Sequence, residues 1–190
     1  TAALFLKQEE GLARGGKAIR PVAVSARVHE LTRLPKYIDK EFLRTDYLDV
    51  EDFGMLHVIF EDGTIADIFA NEIVMGGVQE RLEVYANNHR TICNLIPINA
   101  LKTYNPKEEQ FRDIYVVEKT GTKQGWSQPG PDEDWANGYP QEFQNFMETI
   151  CHDRAPQSGS ALGQSCITTM YSAYLSAERK GQEVRLPKLI

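Results

Sequence analysis

The sequence FGMLHVIFEDGTIADIFAN occupies positions 53–71 and consists of two apolar runs around Asp62-Gly63. Runs rich in Ile, Val and Phe are typical of β-strands, and Asp-Gly suits the positive φ angles of a two-residue hairpin turn. The sequence therefore predicts a β-hairpin with strands over 53–60 and 64–71.

A two-residue turn fixes the register of this hairpin, with His57 opposite Ile68 and Ile59 opposite Ala66. The opposite face then carries Leu56, Val58, Phe60, Ile65, Asp67 and Phe69. Both faces are mostly apolar, whereas a sheet with one solvated face alternates apolar and polar residues. We therefore expect helices of the same chain to cover one face and a neighbouring subunit to cover the other.

Further elements flank the hairpin. A first helix is predicted over Leu4–Leu12, ended by Gly15-Gly16, and the polar stretch 31–49 is predicted to be a loop with some helix. Additional strands are predicted over 21–28, 81–86, 91–96, 101–104, 113–119 and 183–186. We find no repeat and no internal linker, so residues 1–190 are predicted to form a single domain.

Two helices are predicted near the end of the chain. Pro140 suits the first turn of one, whose apolar residues recur at helical spacing: Phe143, Phe146, Met147 and Ile150. The other is predicted over Ser160–Lys180 and ends at Gly181. Its core-facing residues are predicted to be Ile167, Met170, Tyr171, Tyr174 and Leu175. Together with the strands, these helices indicate an α+β fold.

The composition excludes some partners and suggests a compartment. The 190 residues carry a net charge of −6, which argues against attraction to nucleic-acid phosphates or anionic lipid. No apolar run approaches the ~20 residues of a membrane span. Three cysteines without a CxxC pair suit a reducing compartment better than a disulfide framework. We therefore expect a cytoplasmic protein with neither nucleic acid nor membrane as partner.

Motifs for catalysis or cofactor binding are weak in this sequence. Dinucleotide loops need closely spaced glycines between strand and helix, and Gly159 and Gly163 miss that spacing. Glu148 and His152 stand four residues apart on a predicted helix, but a metal site needs a third ligand, so we favour a charged pair at the helix end. His57, amid apolar neighbours, is interpreted as a buried histidine with one hydrogen bond.

The loop between Trp126 and Tyr139 is the most suggestive segment. It combines three aromatic residues with polar ones: Trp126, Trp135 and Tyr139 with Asp132, Glu133, Asp134 and Asn137. Aromatic faces stack on the C–H surfaces of polyols while carboxylates and amides bind their hydroxyls. The alternative is a long loop anchored to the domain by its tryptophans, and the sequence favours neither.

Four segments resemble one known family in their order and spacing. They are DFGMLHVIFEDGT at 52–64, GYPQEFQNF at 138–146, YLSAER at 174–179 and VRL at 184–186. Together they resemble the C-terminal domain of the glucose–fructose oxidoreductase, inositol dehydrogenase and rhizopine catabolism group (Gfo/Idh/MocA). The resemblance covers essentially the whole chain.

This resemblance implies a fold and a function. The fold is an open, mainly antiparallel sheet with helices packed on one face, the other face being used to pair subunits into a homo-oligomer. The full-length protein would pass hydride between a sugar or polyol and NAD or NADP. In that reading the chain contributes a substrate wall, with Trp126, Trp135 and Tyr139 as substrate contacts, and an oligomer interface.

The sequence also departs from the family pattern. Relatives carry the Gly-rich loop and a Glu-Lys-Pro motif in an N-terminal Rossmann domain, whereas Glu118-Lys119 here is followed by Thr120. The family's Asp-x-x-x-His pair would fall upstream of Thr1. We therefore expect no catalytic, metal or cofactor-binding residue in this chain and no NAD or NADP bound to it alone. The alternative is a non-enzymatic module that self-associates or binds a ligand.

Overall fold

The computed structural model describes residues 1–37, 49–97, 101–116, 120–130 and 133–188. These residues form two compact units, one built from 1–37, 49–73 and 155–188 and the other from the described residues between 74 and 154. The helices are α1 (Ala2–Gly15), α2 (Glu133–Ala136), α3 (Tyr139–Cys151) and α4 (Ser160–Glu178). The strands are β1 (Pro21–His29), β2 (Phe53–Phe60), β3 (Ile65–Asn71), β4 (Glu80–Tyr85), β5 (Arg90–Ile96), β6 (Thr103–Asn105), β7 (Gly125–Ser127) and β8 (Val184–Arg185).

The first unit contains a four-stranded sheet in the order β3-β2-β1-β8, and every neighbouring pair is antiparallel. In the second unit, β4 pairs with β5 and β6 pairs with β7, again antiparallel. The predicted α+β class with an open, antiparallel sheet is thereby confirmed. None of the helices in the described part of the chain combines the length and apolar character that crossing a membrane requires.

The core of the first unit lies on one face of the four-stranded sheet. Its buried residues come from the two central strands, from α1 and α4, and from β8: Val24, Ala26, Val58, Phe60, Leu4, Leu162, Ala173 and Val184. Alternate residues of a strand point to the same face, which explains why the buried residues of β1 and of β2 are two positions apart. Helix packing on one face, as predicted, is confirmed.

The predicted hairpin exists, but its predicted register is wrong by one residue. His57 lies opposite Asp67 and Leu56 opposite Ile68. The N–H of Phe60 donates to the carbonyl of Thr64 at 2.9 Å, and Gly63 has φ of 84°. The connection therefore has three residues with glycine in the left-handed region, which is the next most common hairpin loop after the two-residue turn.

Because of this shift, the open face of the hairpin carries a different set of residues. Leu56 and Ile68 pack against the core, whereas Met55, Ile65 and Phe69 are each more than half exposed. One face of the hairpin is therefore covered by the chain itself and the other presents apolar side chains.

The core-facing side of α4 also differs from the prediction. Ile167, Met170, Tyr171 and Leu175 are exposed rather than buried, and Tyr174 is half-buried. The buried stripe consists of mostly small residues at helical spacing: Leu162, Ser165, Thr169, Ser172, Ala173 and Ser176. Small side chains allow the helix to lie close to β1, which it contacts more than any other element.

Ser176 shows how this close packing satisfies polar groups. Its side chain is fully buried, and its Oγ accepts the backbone N–H of Ala26 at 2.9 Å and donates to the carbonyl of Gln182 at 2.6 Å. β8 pairs with β1 only at Ala23 and Val24. β8 is too short to pair with Ala26, so the hydroxyl of Ser176 accepts the N–H of Ala26 instead.

Other predicted elements are confirmed or corrected as follows. α1 ends where the two glycines predicted it, with Gly16 at φ 66°. Residues 113–116 are not a strand, which corrects that prediction, and 117–119 lie outside the described residues. Within 31–49, short 3₁₀ turns occur at Leu31–Arg33 and Pro35–Tyr37, and 38–48 lie outside the described residues.

Candidate functional site

Trp126 lies at the centre of β7, directly opposite Tyr104 of β6. The two rings meet edge to face, with centroids 5.4 Å apart and planes at 71°. The Nζ of Lys102 lies 5.1 Å from the centre of the Trp126 ring, a cation–π geometry. Since 67% of Trp126 is exposed, this small sheet presents an aromatic surface beside a positive charge.

Lys123 holds this two-stranded sheet in place. Its ammonium donates to the carbonyls of Phe111 at 3.0 Å, Arg112 at 2.8 Å and Ile114 at 2.8 Å. The carbonyl of Lys123 itself accepts the side-chain amide of the buried Asn105 at 3.1 Å. All three ammonium donors are thus used to fix backbone, which makes Lys123 a structural residue here.

Trp135 and Tyr139 lie at the C-terminal end of the loop, where α2 ends and α3 begins. The N–H of Gly138 donates to the carbonyl of Trp135 at 3.1 Å, and Gly138 has φ of 84°. Trp135 is 60% exposed and Tyr139 is 52% exposed. Asp132 and the side chain of Glu133 lie outside the described residues, while Asp134 and Asn137 are exposed.

The three predicted substrate contacts therefore belong to three elements of the second unit, namely β7, α2 and α3. Trp126 meets Tyr104, whereas Trp135 and Tyr139 share the α2–α3 turn. All three are exposed rather than buried as anchors for the loop. Their role as substrate contacts stays a prediction.

The predicted apolar face of α3 is present but uncovered. Phe143, Phe146, Met147 and Ile150 are each more than half exposed, and α3 buries no residue. At the end of this helix, Glu148 accepts hydrogen bonds from Gln144 at 2.8 Å and Arg154 at 2.6 Å. These bonds hold the pKa of Glu148 below its ordinary value, the bond from Gln144 having the larger effect. Glu148 thus accepts hydrogen bonds from one neutral and one cationic side chain.

His57 is not the buried histidine that the sequence suggested. Its ring lies on the open face of the four-stranded sheet, 45% exposed, with Nδ1 2.6 Å from Oδ1 of Asp67. The one-residue change of register explains the difference, because it places an acidic residue opposite His57. The same open face carries an edge-to-face pair between Phe53 and Phe69, with centroids 5.3 Å apart.

The remaining candidate residues have structural surroundings. Asn87 and Asn88 lie in the turn between β4 and β5, where the N–H of Ala86 donates to the carbonyl of His89 at 2.9 Å. Cys93, Cys151 and Cys166 are free thiols. Among the described residues, no group of three His, Cys, Asp or Glu side chains is placed to hold a metal ion. Glu118 and Lys119 lie outside the described residues.

The architecture is shared with solved dehydrogenases of the Gfo/Idh/MocA type, so the fold implied by the sequence resemblance is confirmed. GenD2 from gentamicin A biosynthesis, solved in complex with NAD, superposes with a TM-score of 0.72 at 22% identity. The match covers 92% of this chain and 43% of GenD2. No family profile matches the sequence, and neither does any curated protein.

Two polyol dehydrogenases share the same fold. The myo-inositol 2-dehydrogenase of Lactobacillus plantarum superposes with a TM-score of 0.60 at 17% identity, covering 94% of this chain and 46% of that one. The myo-inositol dehydrogenase of Lactobacillus casei, solved with NAD(H) and myo-inositol, gives 0.52 at 14%, covering 98% and 47%. The chain therefore spans less than half the length of each of these enzymes.

Proposed function

We propose that this chain is the C-terminal domain of an NAD- or NADP-dependent oxidoreductase of the Gfo/Idh/MocA group that acts on a sugar or polyol. The fold match to GenD2, over 92% of this chain but only 43% of the enzyme, is the observation that carries the proposal. The remaining half of such an enzyme would hold the cofactor and the group that takes the hydroxyl proton.

The exposed side of α4 supports the assignment of the cofactor to a second domain. Ile167, Met170 and Tyr171 are exposed, although the opposite side of the same helix already packs on β1. Large apolar side chains on the side opposite the packed face are typical of a helix that lies between two layers. A second domain over this side would provide the missing layer.

In this proposal, the chain contributes a substrate wall and an oligomer interface. Trp126, Trp135 and Tyr139 would stack on the C–H surfaces of the substrate, since all three expose more than half of their surface. The open sheet face would pair subunits, because Met55, Ile65 and Phe69 leave an apolar patch in water. A reducing, cytoplasmic setting would keep the three free thiols as they are.

The proposal is tested on the complete protein encoded by the gene that contains this sequence. We expect it to reduce NAD or NADP at 340 nm with a sugar or polyol from a broad panel. Trp126→Ala or Trp135→Ala should lower kcat/KM by about 10-fold or more if the replaced indole ring contacts the substrate. Tyr85→Ala, an exposed aromatic residue on β4, serves as the matched control and should leave kcat/KM unchanged.

The isolated 190-residue chain provides a second test. Titration with NAD or NADP should show no binding, because the proposal assigns the dinucleotide to another domain. Micromolar affinity would contradict that division. A complete protein without any nicotinamide-dependent activity, but with stable self-association, would favour the alternative of a non-enzymatic module, which the apolar open face also supports.

A further inference from the structure

A cleft of about 480 Å³ opens at one end of the four-stranded sheet. Its wall includes the start of β1 and the segments that follow β2 and β8, which lie together because these strands are antiparallel. One side is formed by Ser165 and Thr168 of α4. The volume falls within the ordinary range for small-molecule sites, and the cleft belongs entirely to the first unit.

Three cations and one carboxylate line this cleft. They are Lys17, Arg20 and Lys188, with Glu61 as the acid. Within the described residues, none of the three cationic side chains has a carboxylate partner. A local excess of positive charge in a chain of net charge −6 indicates an anionic ligand.

Ser165 provides a second, independent observation. The residue is only 8% exposed and lines the cleft, yet its hydroxyl makes no hydrogen bond within the described residues. Thr169, one turn later, instead donates its hydroxyl to the carbonyl of Ser165 at 2.7 Å. Buried hydroxyls are usually paired, so an unpaired one that faces a charged cleft is available to a ligand as a hydrogen-bond donor.

Glu61 narrows the class of ligand. Its carboxylate accepts the backbone N–H of Arg20 at 3.4 Å and stands in the same cleft as the cations. A bare anion would be repelled by this carboxylate, whereas a ligand that also carries hydroxyl groups can donate to it. We propose that the cleft binds a phosphorylated polyhydroxy compound, with Lys17, Arg20, Lys188 and Ser165 at the phosphoryl group and Glu61 at a hydroxyl. This inference does not depend on the proposed function.

Calorimetric titration of the 190-residue chain at low ionic strength tests the proposal with glucose 6-phosphate, inorganic phosphate and glucose as probes. We expect glucose 6-phosphate to bind with a submillimolar to millimolar Kd, inorganic phosphate to bind more weakly, and glucose not to bind. Added salt should weaken binding, because the attraction is electrostatic. Absence of glucose 6-phosphate binding at 10 mM overturns the proposal, and equal affinity for inorganic phosphate overturns the assignment of a hydroxylated ligand.

Substitutions locate the site. Arg20→Gln and Lys188→Gln should each weaken glucose 6-phosphate binding by about 5-fold or more. Lys36→Gln, which removes an exposed cation outside the cleft, should not. If Lys36→Gln weakens binding as much as the other two, the attraction is general and the cleft assignment is wrong.

Ser165→Ala separates binding from folding. Alanine favours a helix and the serine hydroxyl has no partner to lose, so the melting temperature should stay constant or rise. Binding of glucose 6-phosphate should nevertheless weaken by about 5-fold, because a charge-assisted hydrogen bond is removed. Unchanged affinity in this folded variant would overturn the role of Ser165.

Discussion

The Nζ of Lys7 lies 2.7 Å from Oδ2 of Asp62, and this ion pair ties α1 to the turn between β2 and β3. The same ammonium donates to Glu10 at 2.5 Å and to Thr64 at 2.9 Å, so all three donors are used. Burial by itself lowers the pKa of Lys7, but the hydrogen bonds to Asp62 and Glu10 outweigh it and raise the pKa. Lys7 is 7% exposed and charged.

Lys7→Met should destabilise the chain by about 2 kcal/mol, because it leaves Asp62 without its cation and removes a hydrogen bond to Thr64. Urea unfolding followed by circular dichroism measures the difference. Arg14→Met is the matched control: it also loses an ion pair to Glu10, but Arg14 is exposed, and the expected cost is below about 0.5 kcal/mol. Equal effects of the two substitutions would contradict a special role for Lys7.

Acid should weaken the fold through Asp62. The hydrogen bond from Lys7 is the main reason that its pKa is lowered from 3.8 to about 2. A carboxylate with a depressed folded pKa stabilises above its unfolded pKa, and this contribution is lost as the pH falls from about 4 to about 2. The difference in unfolding free energy between wild type and Asp62→Asn should therefore shrink toward zero as the pH falls through this range.

The pH dependence is measured by urea unfolding of wild type and Asp62→Asn at pH 7, 5, 4, 3 and 2. Asp52 contributes in the same direction: burial raises its pKa, but hydrogen bonds from Thr32 and Leu31 outweigh burial and lower it. Because both proteins retain Asp52, its effect cancels in the comparison. A difference that stays constant down to pH 2 would rule out the Lys7–Asp62 pair as its source.

Gly11→Ala should destabilise by more than about 2 kcal/mol, although alanine is the better helix former. A Cβ at Gly11 would lie 2.3 Å from the carbonyl oxygen of Lys17 and 2.5 Å from the backbone nitrogen of Ile19. Backbone atoms cannot move aside cheaply, so α1 would be displaced from the returning chain. Gly163→Ala, in α4 with nothing near its Cβ, should instead stabilise by about 0.5–1 kcal/mol. Thermal unfolding of the two variants gives the comparison.

Phe69→Asp should abolish self-association without unfolding the chain. Phe69 is 62% exposed on the open sheet face, so an aspartate there stays solvated in the monomer but opposes burial in an interface. Light scattering after size exclusion measures the mass. Ile68→Asp, the adjacent residue on the covered face, packs against the core and should destabilise by several kcal/mol instead. A wild-type chain that stays monomeric at high concentration would refute the proposed interface.

Lys123→Met should loosen the β6–β7 sheet. Three backbone carbonyls would lose their donor, and about 2 kcal/mol is expected. Hydrogen exchange at Tyr104 and Trp126 should accelerate, while the amides of β1 and β2 keep their protection because they belong to the other unit. Uniform acceleration across both units would contradict a local role.

The sequence by itself determined most of the segments that become helices and strands, the exceptions being β7, α2 and the strand predicted wrongly at 113–116. Alternating and helical periodicities, together with Gly-Gly and Asp-Gly signals, placed α1, β1, the β2–β3 hairpin, α3 and α4 close to their observed bounds. Those signals are local, because they depend on propensity and on turn chemistry. The resemblance of four ordered segments to the Gfo/Idh/MocA group suggested the fold that GenD2 shares.

Only the tertiary structure decided which faces are buried and which polar groups meet. A third loop residue shifts the hairpin by one, so that His57 meets Asp67. α4 buries serines and threonines rather than its tyrosines, because small side chains permit close approach to β1. Two of them, Thr169 and Ser176, also satisfy their hydroxyls on backbone atoms. Lys7 and Asp62 are 55 residues apart, a distance that no local pattern connects.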